Sequence, residues 1–209
     1  MFTKTLSKTA QNSLAVLGES GLLKAAYLAG GSALALHLGH RYSLDFDFFT
    51  PKSFNAKRLV IELNKLGNFK KETIAADTIL GSFNSVKFSY FLYPYPLVKK
   101  TESYLHLQIV APADIAAMKL AAIVDRGTKR DFIDLYFIIK KKYSLETIFS
   151  FYDKKYQKLA ENVYSILKSL RYFEDAEESA MPKMIKKVFW EEVKSFFEKE
   201  VVRLGKKYL

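Results

Sequence analysis

The hydrophobic pattern of the chain changes period near its middle. In the first half, short apolar runs and alternating segments are punctuated by Gly, Asn and Pro, the pattern of strands joined by turns. From Pro112 onward the apolar residues recur three and four apart, as they do in amphipathic helices.

Taken segment by segment, residues 7–17 have helical spacing. The apolar run Ala25 to Ala29, stopped by Gly30-Gly31, predicts a buried strand, and Ser32 to Leu38 a short helix. Gly39-His40-Arg41 makes a turn. Residues 43–49 then alternate, with Leu44, Phe46 and Phe48 on one face and Ser43, Asp45 and Asp47 on the other, until Pro51 ends the strand.

Asn55 caps a predicted helix whose apolar positions Leu59, Ile61, Leu63 and Leu66 run to Gly67. Strands follow at 70–75, 78–83 and 86–92, with bends at Gly81 and Asn84. Beyond a loop holding Pro94 and Pro96, residues 104–110 alternate as one further strand. Pro112 opens a helix that Gly127 terminates. Helical patterns then cover 129–141, 145–153, 159–171 and 182–204, with the acidic stretch 174–178 as a loop before the last. The prediction is an α+β protein: a mixed β-sheet with flanking helices over residues 1–110, followed by a C-terminal helical bundle over residues 111–209.

Composition narrows the chemistry. With 49% hydrophobic residues the chain can fill one large core or two smaller ones. It has no cysteine, which excludes disulfides and thiolate metal sites, and His37, His40 and His106 are too scattered to ligate a metal together. Any metal must be held by oxygen. No stretch of about 18 apolar residues occurs and residues 1–21 lack an apolar signal core, so the expectation is a cytoplasmic protein with no membrane contact. A net charge of +11 suits a polyanionic partner such as RNA, DNA or a nucleotide, although a lysine-rich composition also follows from an AT-rich genome.

Asp45 and Asp47 carry the sharpest signal. Residues i and i+2 of a strand project from one face, so the two carboxylates converge, and two such charges need a cation. Hard oxygen ligands suit Mg²⁺, which completes its shell with water and substrate phosphate oxygens, as phosphoryl and nucleotidyl transfer require. The plainer alternative is an exposed strand face that happens to bear two acids. Upstream, Gly30-Gly31-Ser32 falls between a strand and a helix, where backbone N–H groups can face a triphosphate.

The block from Leu28 to His37, followed by Gly39 to Phe49, resembles the AbiEii/AbiGii-type nucleotidyltransferase toxins of the polymerase-beta-like superfamily. A second block, Lys119 to Arg126 and Lys129 to Leu135, is similar to the downstream lysine and arginine-aspartate motifs of that family. The resemblance implies a nucleotidyltransferase fold and a Mg²⁺- or Mn²⁺-dependent transfer of a nucleoside monophosphate from an NTP. The acceptor would be a hydroxyl of RNA, tRNA included, or of a protein. It further implies a toxin role and a cognate antitoxin, often a winged-helix protein. On this basis Asp45 and Asp47 hold the metal, Gly30, Gly31 and Ser32 cradle phosphates, and Lys119 with Arg41 or Arg126 stabilises the triphosphate.

Spacing agrees with part of that scheme. Lys119 and Arg126 are almost two helical turns apart and share a face. Arg130, Asp131 and Asp134 lie beside an apolar stripe of Phe132, Leu135, Tyr136 and Ile139, which turns the charged group toward the preceding helix. Two readings of Arg126, Arg130, Asp131 and Asp134 stand: a functional site, or a structural ion-pair network. Lys119 is the stronger functional candidate, because a lysine among alanines needs an anionic partner. Arg41 either binds phosphate or orients a carboxylate, and His40 is read as structural.

One departure bears on catalysis. Polymerase-beta-like enzymes usually carry a third carboxylate on a neighbouring strand, yet residues 86–92 and 104–110 contain no acid. Either Asp131 activates the acceptor hydroxyl, or the chain is a catalytically degenerate nucleotide- or nucleic-acid-binding module. A basic nucleic-acid-binding protein with incidental acids is the remaining alternative.

Overall fold

A computed structural model describes residues 1–209. The chain divides into two compact units, Met1–Ala111 and Pro112–Leu209. The first holds α1 (Lys8–Glu19), β1 (Tyr27–Ala29), α2 (Gly30–Leu38), β2 (Asp45–Thr50), α3 (Ala56–Leu66), β3 (Phe69–Ala75), β4 (Thr78–Phe83), β5 (Val86–Leu92), β6 (Glu102–Tyr104) and β7 (Leu107–Ile109). The second is helical: α4 (Pro112–Asp125), α5 (Lys129–Lys141), α6 (Leu145–Tyr156), α7 (Leu159–Ser169), α8 (Glu174–Glu178) and α9 (Trp190–Tyr208).

In the first unit the seven strands form one sheet in the order β3-β4-β5-β2-β1-β7-β6. The sheet is mixed, with β2 parallel to β5, β1 parallel to β7 and every other pairing antiparallel. The period-2 alternation of β2 explains its central place. Phe46 and Phe48 are fully buried, opposite Phe88 and Tyr90 of β5, and the Phe48 and Phe88 rings meet at 5.5 Å. Each such ring contributes about 1.5–3 kcal/mol of burial. The other face of the same strand carries Asp45, Asp47 and Phe49, all part-exposed.

Helix α2 is apolar all round and accordingly buried from Gly31 to Leu36. It stops at Gly39, whose left-handed conformation makes the C-cap. Its start differs from the sequence expectation, since Gly30 and Gly31 form the first turn of the helix and β1 begins only at Tyr27.

Three further elements differ. Residues 104–110 are not one strand but a hairpin, β6 turning into β7 through Leu105 and His106, at φ 49° and 59°. A two-residue turn with both φ positive normally advertises itself as Asn-Gly, and Leu-His gives no such cue. Gly18 of α1 lies under this turn, where a Cβ would collide with the Leu105 carbonyl. The acidic stretch 174–178 is the short helix α8 rather than a loop. The last helix starts at Trp190, not Pro182, with Glu191 and Glu192 in its first turn complementing the helix dipole. Ile185 and Phe189 fit the helical spacing but stay exposed, and Val188 is the one buried residue of 182–189, so little burial holds that segment helical. On α3, Ile61 likewise faces solvent while Leu59 and Leu63 are buried.

In the second unit α4 packs against α5, α6 and α7 through Ile115, Ala116, Leu120 and Ile123. Phe132 of α5 sits among Phe173, Trp190 and Phe197, with ring centroids 5.2–5.9 Å away. A fully buried ion pair, Lys155 Nζ to Asp114 Oδ1 at 2.9 Å, ties α6 to α4. No helix is long and apolar enough to cross a membrane.

Candidate functional site

The sequence-predicted residues fall into two groups, one in each unit. In the first unit the group is built where the start of α2 meets β2. Gly30 has φ +61°, and a Cβ on it would enter the Asp47 carboxylate. A Cβ on Gly31 would enter the Arg41 guanidinium and approach Ser43 Oγ to 3.1 Å. The absence of two side chains therefore lets an acid and a base lie against the first turn of a helix, whose N-terminal backbone carries partial positive charge.

Ser32, one residue on, donates its hydroxyl to the backbone carbonyl of Asp45 and pins α2 to the strand. Ser43 Oγ donates to Asp45 Oδ1 at 3.1 Å, and the nearly buried Arg41 donates to the Tyr42 carbonyl at 3.0 Å. Ser43 received no role from the sequence, although the alternation had already put it on the acid face. His40 is fully buried, consistent with a structural part.

Both carboxylates remain reachable from solvent. In register beside Asp45 on β5 is Lys87, and beside Asp47 is Ser89, so the neighbouring strand supplies a cation and a hydroxyl where a third acid would stand. No group of three or more His, Cys, Asp or Glu side chains is arranged to hold a metal ion. The carboxylates available to a cation at this place are Asp45 and Asp47, a pair that suits Mg²⁺ or Mn²⁺ completing its shell with water and phosphate.

In the second unit α4 and α5 bring Lys119, Arg126 and Asp131 together. Lys119 Nζ lies 2.8 Å from Asp131 Oδ1 and 2.7 Å from Asp134 Oδ2. Arg126 forks onto the same Asp131 carboxylate, Nε to Oδ2 at 3.1 Å and Nη2 to Oδ1 at 3.3 Å. Thr128, the N-cap residue of α5, donates its hydroxyl to Asp131 Oδ2 at 2.6 Å. Thr128 was missed, and its signal was a threonine three residues before an acid at a helix start.

The Lys119 side chain is 8% exposed, Asp131 1% and Asp134 fully buried, whereas Arg126 is 61% exposed. Lysine 119 thus finds its anionic partners inside the protein. Burial pushes the Asp131 carboxyl up, but the charges and hydrogen bonds of Lys119 and Arg126 overcome this and hold it well below the usual carboxylate range. Arg130 is exposed on α5 and stands apart from the network.

These two groups of residues are what the comparisons with known proteins cover. The model of the family "Nucleotidyl transferase AbiEii toxin, Type IV TA system" matches residues 13–98 and 92–201. The chain belongs to the AbiEii nucleotidyltransferase toxin family. An uncharacterized protein of Aquifex aeolicus is 37% identical over 203 residues, spanning 95% of this chain and 97% of the relative. Among solved structures, JHP933 from Helicobacter pylori superposes with a TM-score of 0.56 at 18% identity, covering 97% of this chain and 94% of its own. MenT4, a nucleotidyltransferase toxin from Mycobacterium tuberculosis, gives 0.55 at 17% identity, covering 94% and 86%. At such identities the likeness speaks for the fold, which is nucleotidyltransferase-like. In this AbiEii-family chain the family match takes in both the Asp45–Asp47 strand and the Lys119–Asp131 network.

Proposed function

We infer that this AbiEii-family toxin transfers a nucleoside monophosphate from an NTP to a hydroxyl of RNA. The observation that carries the reading is the Asp45–Asp47 pair beside the glycine-opened N-terminus of α2. The acceptor oxygen attacks the α-phosphorus in line, the bond from that phosphorus to the bridging oxygen breaks, pyrophosphate leaves, and the hydroxyl proton passes to solvent or a nearby base. No covalent enzyme intermediate is needed.

Asp45 and Asp47 would hold Mg²⁺ or Mn²⁺, which when bound supplies charge that offsets the negative charge developing on the phosphates. Ser43 orients Asp45, and the N–H groups of the first turn of α2, with Arg41 behind them, favour phosphate at Gly31 and Ser32. Arg126, still largely exposed, is the cation of the second group best able to meet a phosphate, with Lys119, Asp131 and Thr128 positioning it. The net charge of +11 supports RNA over a protein as acceptor. A type IV toxin–antitoxin family implies a cognate antitoxin, and the substrate, the metal and a cytoplasmic setting belong to this same proposal.

Incubating the protein with each labelled NTP, Mg²⁺ and total RNA tests this. Wild type is expected to label RNA, and Asp45→Ala/Asp47→Ala to lose about 10³-fold of the rate. Inactivity of the wild type toward every NTP and acceptor would sink the transferase reading. Lys87 and Ser89 in place of a third acid favour one second reading, a nucleotide-binding module without turnover. It predicts metal-dependent NTP binding, abolished by the same double substitution, with no labelled product.

A further inference from the structure

Phe49 follows Asp47 on the same face of the sheet, in a row that crosses four strands. Gln108 of β7, Tyr27 of β1, Phe49 of β2 and Phe91 of β5 are in register. In-register residues of paired strands project to one side, so this row continues the surface that bears the carboxylates. Tyr27 stacks on Phe49 at 6.2 Å, Tyr93 meets Phe49 edge-on at 5.0 Å, and Tyr95 meets Tyr93 edge-on at 4.9 Å.

Beside the row lies a cavity of 450 Å³ walled by Tyr27, Pro51, Pro94, Tyr95 and Pro96. Besides the tyrosine hydroxyls its polar groups are Lys24, Thr101 and Gln108, and no carboxylate lines it. Thr101 Oγ1 donates to Gln108 Oε1 at 2.6 Å, which fixes the orientation of the amide. Flat aromatic and proline walls, an amide and a hydroxyl at the edge, and one cation are what an unpaired nucleobase and its phosphate require. The volume falls within the range of ligand pockets.

We propose that this pocket holds an unpaired base of the RNA strand whose end is presented to Asp45 and Asp47. The choice of occupant rests on the transferase reading above. Thr50 ends β2 three residues beyond Asp47, about 10 Å along the strand, and Pro51 follows it. A pocket set off from the carboxylates by the Phe49 row, with Lys24 as its one cation, suits a base of the strand upstream of the accepting nucleotide together with one phosphodiester. Tyr95, 42% exposed, stands at the rim, where a strand can enter from solvent.

The test is anisotropy binding of a labelled single-stranded RNA octamer to the full-length chain. Tyr95→Ala is expected to weaken binding about tenfold with an unchanged salt slope, and Tyr95→Phe to retain it. Lys24→Ala is expected to make the salt slope shallower by about one. Circular dichroism checks that the exposed substitution leaves the fold intact. Equal RNA affinity for wild type and Tyr95→Ala overturns the proposal. So does a Tyr95→Ala variant that loses NTP affinity while keeping RNA affinity, since that gives the pocket to the nucleotide's own base. Weaker RNA binding by Tyr95→Ala with no transfer by wild type keeps the pocket and removes the transferase reading. Unchanged RNA binding with active wild-type transfer does the reverse.

Discussion

Gly31 and Gly205 are both helical glycines, and the side chains around them give them opposite meanings. At Gly205 an added Cβ meets open space, so Gly205→Ala is expected to raise stability by about 0.5–1 kcal/mol through helix propensity. At Gly31 the same methyl meets the Arg41 guanidinium, and Gly31→Ala is expected to lower stability by about 1–3 kcal/mol and to abolish nucleotidyl transfer. Paired thermal melts check the contrast, and two shifts of the same sign would refute it. Alternation alone made the shared face of Asp45 and Asp47 legible, because a strand's period is local. The lodging of Arg41 and Asp47 over two glycines was not legible, because it arises from packing between segments that the sequence pattern does not connect.

Among the elements, the β6–β7 hairpin was the hardest to read. Its turn residues Leu105 and His106 sit in the left-handed region that costs an L side chain roughly 1–2 kcal/mol, while Asn and Gly adopt it readily. Replacing Leu105-His106 with Asn-Gly is therefore expected to raise the unfolding free energy by about 1 kcal/mol with an unchanged denaturant m-value, measured by urea titration. Long periodic elements such as α5, residues 129–141, appear in the sequence with their bounds, since Phe132, Leu135, Tyr136 and Ile139 recur three and four apart. The start of α9 does not. The apolar spacing of Ile185, Val188 and Phe189 imitates a helix, but only Val188 among them is buried.

For the molecule as a whole, acid sensitivity is the property the buried charges govern. Asp131 has a folded carboxyl held below its unfolded value, so it contributes stability that is fully present above about pH 4. That contribution is lost as pH falls from there through the folded value. Asp131→Asn is expected to reduce stability at pH 7 and to flatten its fall between about pH 4 and pH 2, read from melts across that range; a parallel decline in both proteins would contradict this. The sequence by itself determined the α+β class, the sheet-then-helix order and the shared face of the two aspartates, because these follow from backbone periods of 2 and 3.6 residues. Tertiary structure alone decided that Lys119 closes on Asp131 and Asp134, that Arg126 keeps most of its surface in solvent, and that Lys87 and Ser89 flank the acid pair. Which charges meet, and which stay in water, depends on strand register and helix packing, and no local spacing encodes either.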